Sequence, residues 1–190
     1  MQTLIIYTHP NHKSLSYVFY EKVIAGLNSQ SEEFQTIDLY AENFNPVLVY
    51  NAENRRRDMH LVPELQDYRD KIKWADRIVF IYPIFWGRPP AMLLGFIDRM
   101  FGSNFAYRDN GGLFPEKLLK GKEAVCISTM KGPTGYLFFW LGNAHQILMK
   151  RALLKFVGFK KVKFFEFGNM EQKNGKQEKY LQKIQRYFGQ

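Results

Sequence analysis

"RIVFIYPIFWGRPPAMLLGFIDRMF", residues 77–101, decides the fold. Arg77 to Tyr82 is a short, mostly apolar run of the kind found in strands covered on both faces. From Pro89 to Met100 the apolar residues recur at helical spacing, with proline near the start, where a missing N–H costs nothing. Between strand and helix lies Pro83-Ile84-Phe85-Trp86-Gly87. This turn carries two large aromatics that ordinary turn chemistry does not require.

The same alternation extends outward in both directions. Thr3 to Thr8 reads as a strand, and Leu15, Val18, Phe19, Val23 and Leu27 mark a helix to about Asn28. Phe34 to Leu39 is a second strand. An irregular stretch around Pro46 to Asp58 precedes a helix from Val62 to Trp74. After the Pro89 helix, residues 104–120 are expected to be mostly Gly-rich loop. Glu123 to Thr129 is the fourth strand, followed by a helix over roughly Trp140 to Val157 that stops at Gly158. Lys161 to Phe167 is the fifth strand, and Gln177 to Phe188 the last helix. The 190 residues form one domain by this reading, with no internal repeat or linker.

Strands alternating with helices imply right-handed crossovers and a parallel sheet covered on both faces. Five strands suit a three-layer α/β sandwich of flavodoxin-like order 2-1-3-4-5. In that order ligands sit beyond the carboxyl ends of the strands, at the switch point. Three loops are thereby singled out: those after strands one, three and four. The Trp86 turn is the second.

Composition narrows the chemistry. Hydrophobic residues at 46% and charged residues at 24% are those of a globular chain, with no apolar run long enough to span a bilayer. The single cysteine, Cys126, rules out an internal disulfide, suits a cytoplasmic location, and falls inside an apolar strand as a core residue. Lys and Arg number 27 against 18 Asp and Glu, for a formal charge of +9. That balance favours anionic partners. The charges are scattered, apart from Arg55-Arg56-Arg57 and a lysine-rich C-terminal third, and no base-reading motif is present, so nucleic acid is not an expected partner. They form either a solvated surface or an aid to capturing an anionic cofactor.

The first loop, "THPNHKSLS" (8–16), places Ser14 where a helix cap would be, with the N–H groups of Leu15 and Ser16 behind it. Such an end, with His9 and Lys13 close by, is either an anion site or simply a capped helix start. It contains neither a P-loop nor the G-x-G-x-x-G dinucleotide fingerprint. The third loop, "STMKGPTGY" (128–136), offers the hydroxyls of Ser128 and Thr129, the glycines Gly132 and Gly135, and the Tyr136 phenol. Anion pocket, aromatic shelf and polar edge together fit a phosphorylated planar heterocycle. His9, His12, His60 and His145 show no metal-ligand pattern with carboxylates, and no Ser-His-Asp or Cys-His arrangement falls on these loops.

The stretch from Pro83 through "NFAY" (104–107) to Thr129 and Tyr136, with His9, Pro10 and Ser14, resembles the NAD(P)H:quinone reductases of the DT-diaphorase type. Bacterial relatives in that family are the modulator-of-drug-activity and general-stress reductases and the ancillary flavoproteins of potassium efflux. The resemblance implies a flavin, whose phosphate lies at Ser14, Leu15 and Ser16 beside His9; FMN is the expected form, with FAD as the alternative. Pro83, Ile84, Phe85, Trp86 and Gly87 would line the isoalloxazine, with Ser128, Thr129, Met130, Lys131 and Gly132 at its other edge. It also implies hydride transfer from NADPH or NADH to flavin N5, then two-electron reduction of a quinone in a ping-pong cycle.

By the same resemblance Tyr136 stabilises charge on the reduced flavin, and Tyr107 reaches the site of a partner subunit in a homodimer. The family's histidine position is Gly142 here, so His145, three residues on, is the candidate for that catalytic role, with an ordinary helix residue as the other reading. Residues 136–141 (YLFFWL) are either dimer surface or an apolar helix start. The alternative function is a flavin-bearing regulatory subunit contacting a membrane transporter. Within the turn, Phe85 and Trp86 either both face the ligand or one packs beneath the Pro89 helix, with Trp86 expected at the ligand.

Overall fold

A computed structural model describes residues 1–53, 55–133, 135–170 and 176–190. Its centre is the strand quoted above, β3 (Arg77–Pro83), every residue of which is buried. Alternate side chains leave β3 in opposite directions. Ile78, Phe80 and Tyr82 enter one apolar layer, and Val79 and Ile81 the other. A strand walled on both faces has no solvent side to mark with polar residues, hence its continuous apolar run.

β1 (Thr3–Tyr7), β2 (Phe34–Asp38), β6 (Glu123–Thr129) and β7 (Lys161–Phe167) complete a parallel sheet of order β2-β1-β3-β6-β7. This is the expected 2-1-3-4-5, once the two-residue strands β4 (Tyr107–Arg108) and β5 (Glu116–Lys117) are counted in chain order. Those two pair as a small antiparallel ribbon in the segment expected to be loop.

Helix α1 (Leu15–Ser29) and helix α7 (Lys176–Phe188) cover one face. They pack so closely that a Cβ on Gly26 would meet the Phe188 Cβ at 2.7 Å. Helices α2 (Gln66–Trp74) and α3 (Ala91–Met100) cover the other, together with the segment ending at Val157. The helix expected from Val62 begins as a 3₁₀ turn at Pro63–Leu65 and becomes α-helical only at Gln66, and another 3₁₀ stretch, Arg56–Leu61, precedes it.

The helix expected over 140–157 is broken instead. It starts early as α4 (Tyr136–Phe139), stops at Gly142 and Asn143, and resumes as α5 (Ala144–Gln146). It then widens into a π-helix at Ile147–Leu154 and closes as α6 (Lys155–Val157) before Gly158. Gly142 and Asn143 have φ of 55° and 62°, left-handed values that an α-helix cannot propagate through. They are also the residue types that adopt such values most cheaply.

Candidate functional site

At the carboxyl end of β1 the first loop is organised by short polar contacts. Ser14 caps α1, its Oγ accepting from the Tyr17 N–H at 3.3 Å. The Tyr7 hydroxyl lies 3.2 Å from Ser14 Oγ and donates to the Asn11 carbonyl at 3.3 Å. Burial pushes the Tyr7 pKa up to about 12, so it remains a neutral donor. The Asn11 N–H donates to His9 Nδ1 at 3.0 Å, leaving Nε2 to carry the imidazole proton. Burial also lowers the His9 pKa below its usual value. The first N–H groups of α1, a polarised imidazole N–H and a hydroxyl therefore gather at one helix start, where the helix dipole favours negative charge.

The second loop is a tight hairpin. The Phe85 N–H donates to the Arg88 carbonyl at 3.0 Å, and the Arg88 N–H to the Phe85 carbonyl at 3.1 Å. The two residues between, Trp86 and Gly87, have φ of 53° and 72°. Positive φ at both centres is the type I′ pattern, which strongly prefers Asn-Gly. A tryptophan in the left-handed region costs about 1–2 kcal/mol. Core packing does not repay it, for Trp86 is 96% exposed and Phe85 49%. Neither ring packs beneath the following helix; the buried residues of the turn are Pro83 and Ile84.

The third loop is sewn to the other two. Ser16 Oγ and Thr129 Oγ1 share a buried hydrogen bond of 3.0 Å, and the Ile84 N–H donates to the Thr129 carbonyl at 2.8 Å. The Met130 N–H donates to Phe167 at 2.9 Å and the Asn169 N–H to the Gly132 carbonyl at 2.8 Å. Leu141 folds back onto the Trp86 turn, where a Cβ on Gly87 would meet Leu141 Cδ1 at 2.6 Å.

These loops bound two adjoining clefts. A polar one of about 600 Å³ is lined by His9, Ser14, Leu15, Ser16, Pro83, Ile84, Phe85, Thr129, Met130, Lys131 and Met170. An apolar one of about 560 Å³ is lined by Ile84, Trp86, Gly87, Met130, Lys131, Gly132, Tyr136, Leu137 and Leu141. Ile84, Met130 and Lys131 belong to both, so the clefts form one trough. Each lies within the size range of small-molecule sites. The donor set fits a phosphorylated flat heterocycle, with anion donors at one end and aromatic and aliphatic walls at the other.

Most residues expected at the site from the sequence are thus brought together. Two are not. Ser128 is fully buried and its Oγ has no hydrogen-bond partner. In the sheet's alternation it shares the face of Ala124 and Cys126, and it lines neither cleft. His145, the candidate catalytic histidine, is also fully buried and lines neither cleft. Its Nε2 lies 2.8 Å from the Tyr82 hydroxyl and its Nδ1 2.6 Å from Glu166 Oε1. The break at Gly142 and Asn143 turns His145 inward, behind the apolar wall, so a proton-donating role at the ligand is corrected to a buried contact. Tyr107 lines neither cleft and packs edge-on against Phe156 at 5.4 Å.

Reasoning from the sequence missed Leu137, Leu141 and Met170 as lining residues. For the two leucines the signal was present in YLFFWL, and only their direction was hidden. Cys126 is buried as expected, and burial pushes its thiol up to about 12, making it inert at neutral pH.

Fold and trough together define a doubly wound α/β protein with a candidate ligand site at the sheet's switch point. Within that class the chain belongs to the flavodoxin-like family, whose model matches residues 1–188. An uncharacterized NAD(P)H oxidoreductase of Haemophilus influenzae is 30% identical over 177 residues, covering 90% of this chain and 85% of that protein. Human ribosyldihydronicotinamide dehydrogenase (quinone) is 28% identical over 181 residues, covering 84% and 78%. The crystal structure of Smu.1420 from Streptococcus mutans superposes with a TM-score of 0.90 at 37% identity, covering 100% of this chain and 99% of that one. The resemblance read from the Trp86 block therefore holds at the level of family and fold.

Proposed function

We propose that the chain is a flavin-dependent NAD(P)H:quinone oxidoreductase that binds FMN in the trough between the three loops. The observation that carries this reading is the Trp86–Gly87 turn: a strained, almost fully exposed tryptophan on one of the three loops beside the switch point, where open α/β sheets generally bind ligands. Strain that packing does not repay is characteristic of residues kept for binding. The relatives' NAD(P)H and quinone chemistry supports the same conclusion.

In this reading the α1 N-terminus, Ser14 and His9 hold the phosphate, and Trp86, Tyr136 and Leu141 hold the ring system and shed water from it. A bound flavin supplies two-electron, hydride-accepting chemistry that no side chain offers. The chain's contribution is orientation, and Tyr136, half-exposed at the mouth, presents a phenol able to donate a hydrogen bond there. The open side of the shelf admits NADPH or NADH and then the acceptor in turn.

Phe138, Phe139 and Trp140 are 63%, 82% and 79% exposed and flank the trough's apolar wall. An apolar ridge of that size is commonly covered by a partner, and a second copy of the chain, contributing Tyr107 to the neighbouring site, is the proposed occupant. Sedimentation of the parent chain and of Trp140→Glu tests the pairing: a dimer that the substitution dissociates is expected.

The functional test is spectroscopic. The purified protein should bind FMN, lose its visible absorbance when NADPH is added without oxygen, and regain it with a quinone. A chain that takes up neither FMN nor FAD overturns the assignment.

A further inference from the structure

Behind the trough's apolar wall runs a buried polar chain with no part in the proposed chemistry. Tyr82, on β3 immediately before the Pro83–Gly87 turn, is fully buried and meets His145 Nε2 at 2.8 Å. His145 Nδ1 meets Glu166 Oε1 on β7 at 2.6 Å, and the Gln146 amide donates to Glu166 Oε2 at 2.8 Å. Burial keeps Tyr82 protonated, its pKa raised well above the ordinary value. Burial alone would raise the Glu166 pKa too, but its bonds to His145 and Gln146 reverse that and leave it lowered. With Glu166 ionised, Nδ1–H donates to it and Nε2 accepts from the Tyr82 hydroxyl. Every polar atom in this chain then has a partner.

The chain joins β3 and β7, the strands on either side of β6, to one irregular segment. Residues 136–146 are a single turn of α4, two left-handed residues and a single turn of α5, with too few internal bonds to hold a shape alone. Their outer residues, Phe138, Phe139 and Trp140, are exposed. Only Leu137, 3% exposed, and His145 are buried within it. Leu137 can slide among apolar neighbours, whereas a hydrogen-bonded imidazole has one register. Tyr136, Leu137 and Leu141, from the same segment, line the apolar cleft.

We propose that His145 is a positioning residue: through Tyr82 and Glu166 it latches the 136–146 segment against the sheet in the register that forms the trough's apolar wall. The latch also ties that wall to the aromatic turn, because Tyr82 directly precedes it. The link to ligand binding rests on the flavin assignment above; the latch itself does not.

Amide hydrogen exchange on the chain without flavin reads the latch directly. His145→Phe fills most of the space but makes neither bond, and Tyr82→Phe removes one hydroxyl and is expected to fold even where the first variant does not. In both, exchange over 137–146 is expected to accelerate roughly tenfold or more while β1, β3 and β6 keep the parent's protection. FMN affinity is expected to fall by roughly fivefold to tenfold, the scale of one hydrogen bond. Glu166→Gln keeps an oxygen facing Nδ1–H and should restore near-parental exchange in the segment. Exchange that rises evenly through the sheet, or a segment as protected as the parent's, overturns the proposal. A chain that binds no flavin but shows the local loosening overturns the function and leaves the latch standing.

Discussion

At its polar end the trough is made from parts that any well-formed helix start would use. Ser14 caps α1, Tyr7 and Asn11 brace the loop, and Ser16 bonds Thr129 across to the third loop. At its apolar end the same trough is made from exceptions. Trp86 sits at φ 53° and in solvent, and the facing wall reaches its place through Gly142 and Asn143 and a buried polar chain. On the proposed function, the polar end serves the fold and the binding site together, whereas Trp86 at the apolar end gives up fold stability for binding. Substitutions at Ser14 or Ser16 and at Trp86 should therefore move stability in opposite directions.

The largest loss is expected from Ser16→Val, which deletes the hydroxyl facing Thr129 Oγ1 and leaves that buried atom unpaired. Such an atom costs about 2 kcal/mol, to be measured by urea unfolding, and FMN affinity should fall with it. Ser14→Ala comes next. Losing the cap is worth about 1 kcal/mol, and the phosphate loses a hydroxyl, so stability and affinity again fall together.

The smallest effect is the pH dependence through His9, whose pKa in the free chain is lowered chiefly by burial. A bound phosphate stabilises the imidazolium and raises that pKa, so binding takes up a proton. Affinity is then greatest below the free-chain pKa and weakens as pH rises through the bound-state value, by at most about tenfold per pH unit for one proton. The ratio of parent to His9→Asn affinity isolates this slope from the ionisation of the phosphate. A ratio that does not change between acidic and neutral pH would remove His9 from the phosphate site.

How legible the molecule was in its sequence follows the same division. The inner strands β1, β3 and β6 are mostly apolar runs because both sheet faces cover them, and the strand order located the three loops before any ligand was considered. The polar end was legible as well, since a serine before a helical period is a local signal. What escaped was non-local or rule-breaking. His145 finds partners 63 and 21 residues away, and only the acidic Glu166 inside the apolar VKFFEF strand hints at them. The break at Gly142 and Asn143 lies within an apolar window whose spacing looks helical throughout. Ser128 was misplaced because a hydroxyl at a strand end suggests a ligand, while the alternation of β6 turns it into the core.

The central claim, that Trp86 is held in strain for the sake of a bound flavin, is tested by titrating FMN into the parent chain and Trp86→Asn while following their unfolding midpoints. Asparagine suits the first position of a type I′ turn, so the variant without ligand should gain about 1 kcal/mol. Loss of the stacked ring should weaken FMN by roughly tenfold or more. A parent chain that binds no FMN, or a variant that binds it as tightly as the parent, would contradict the account.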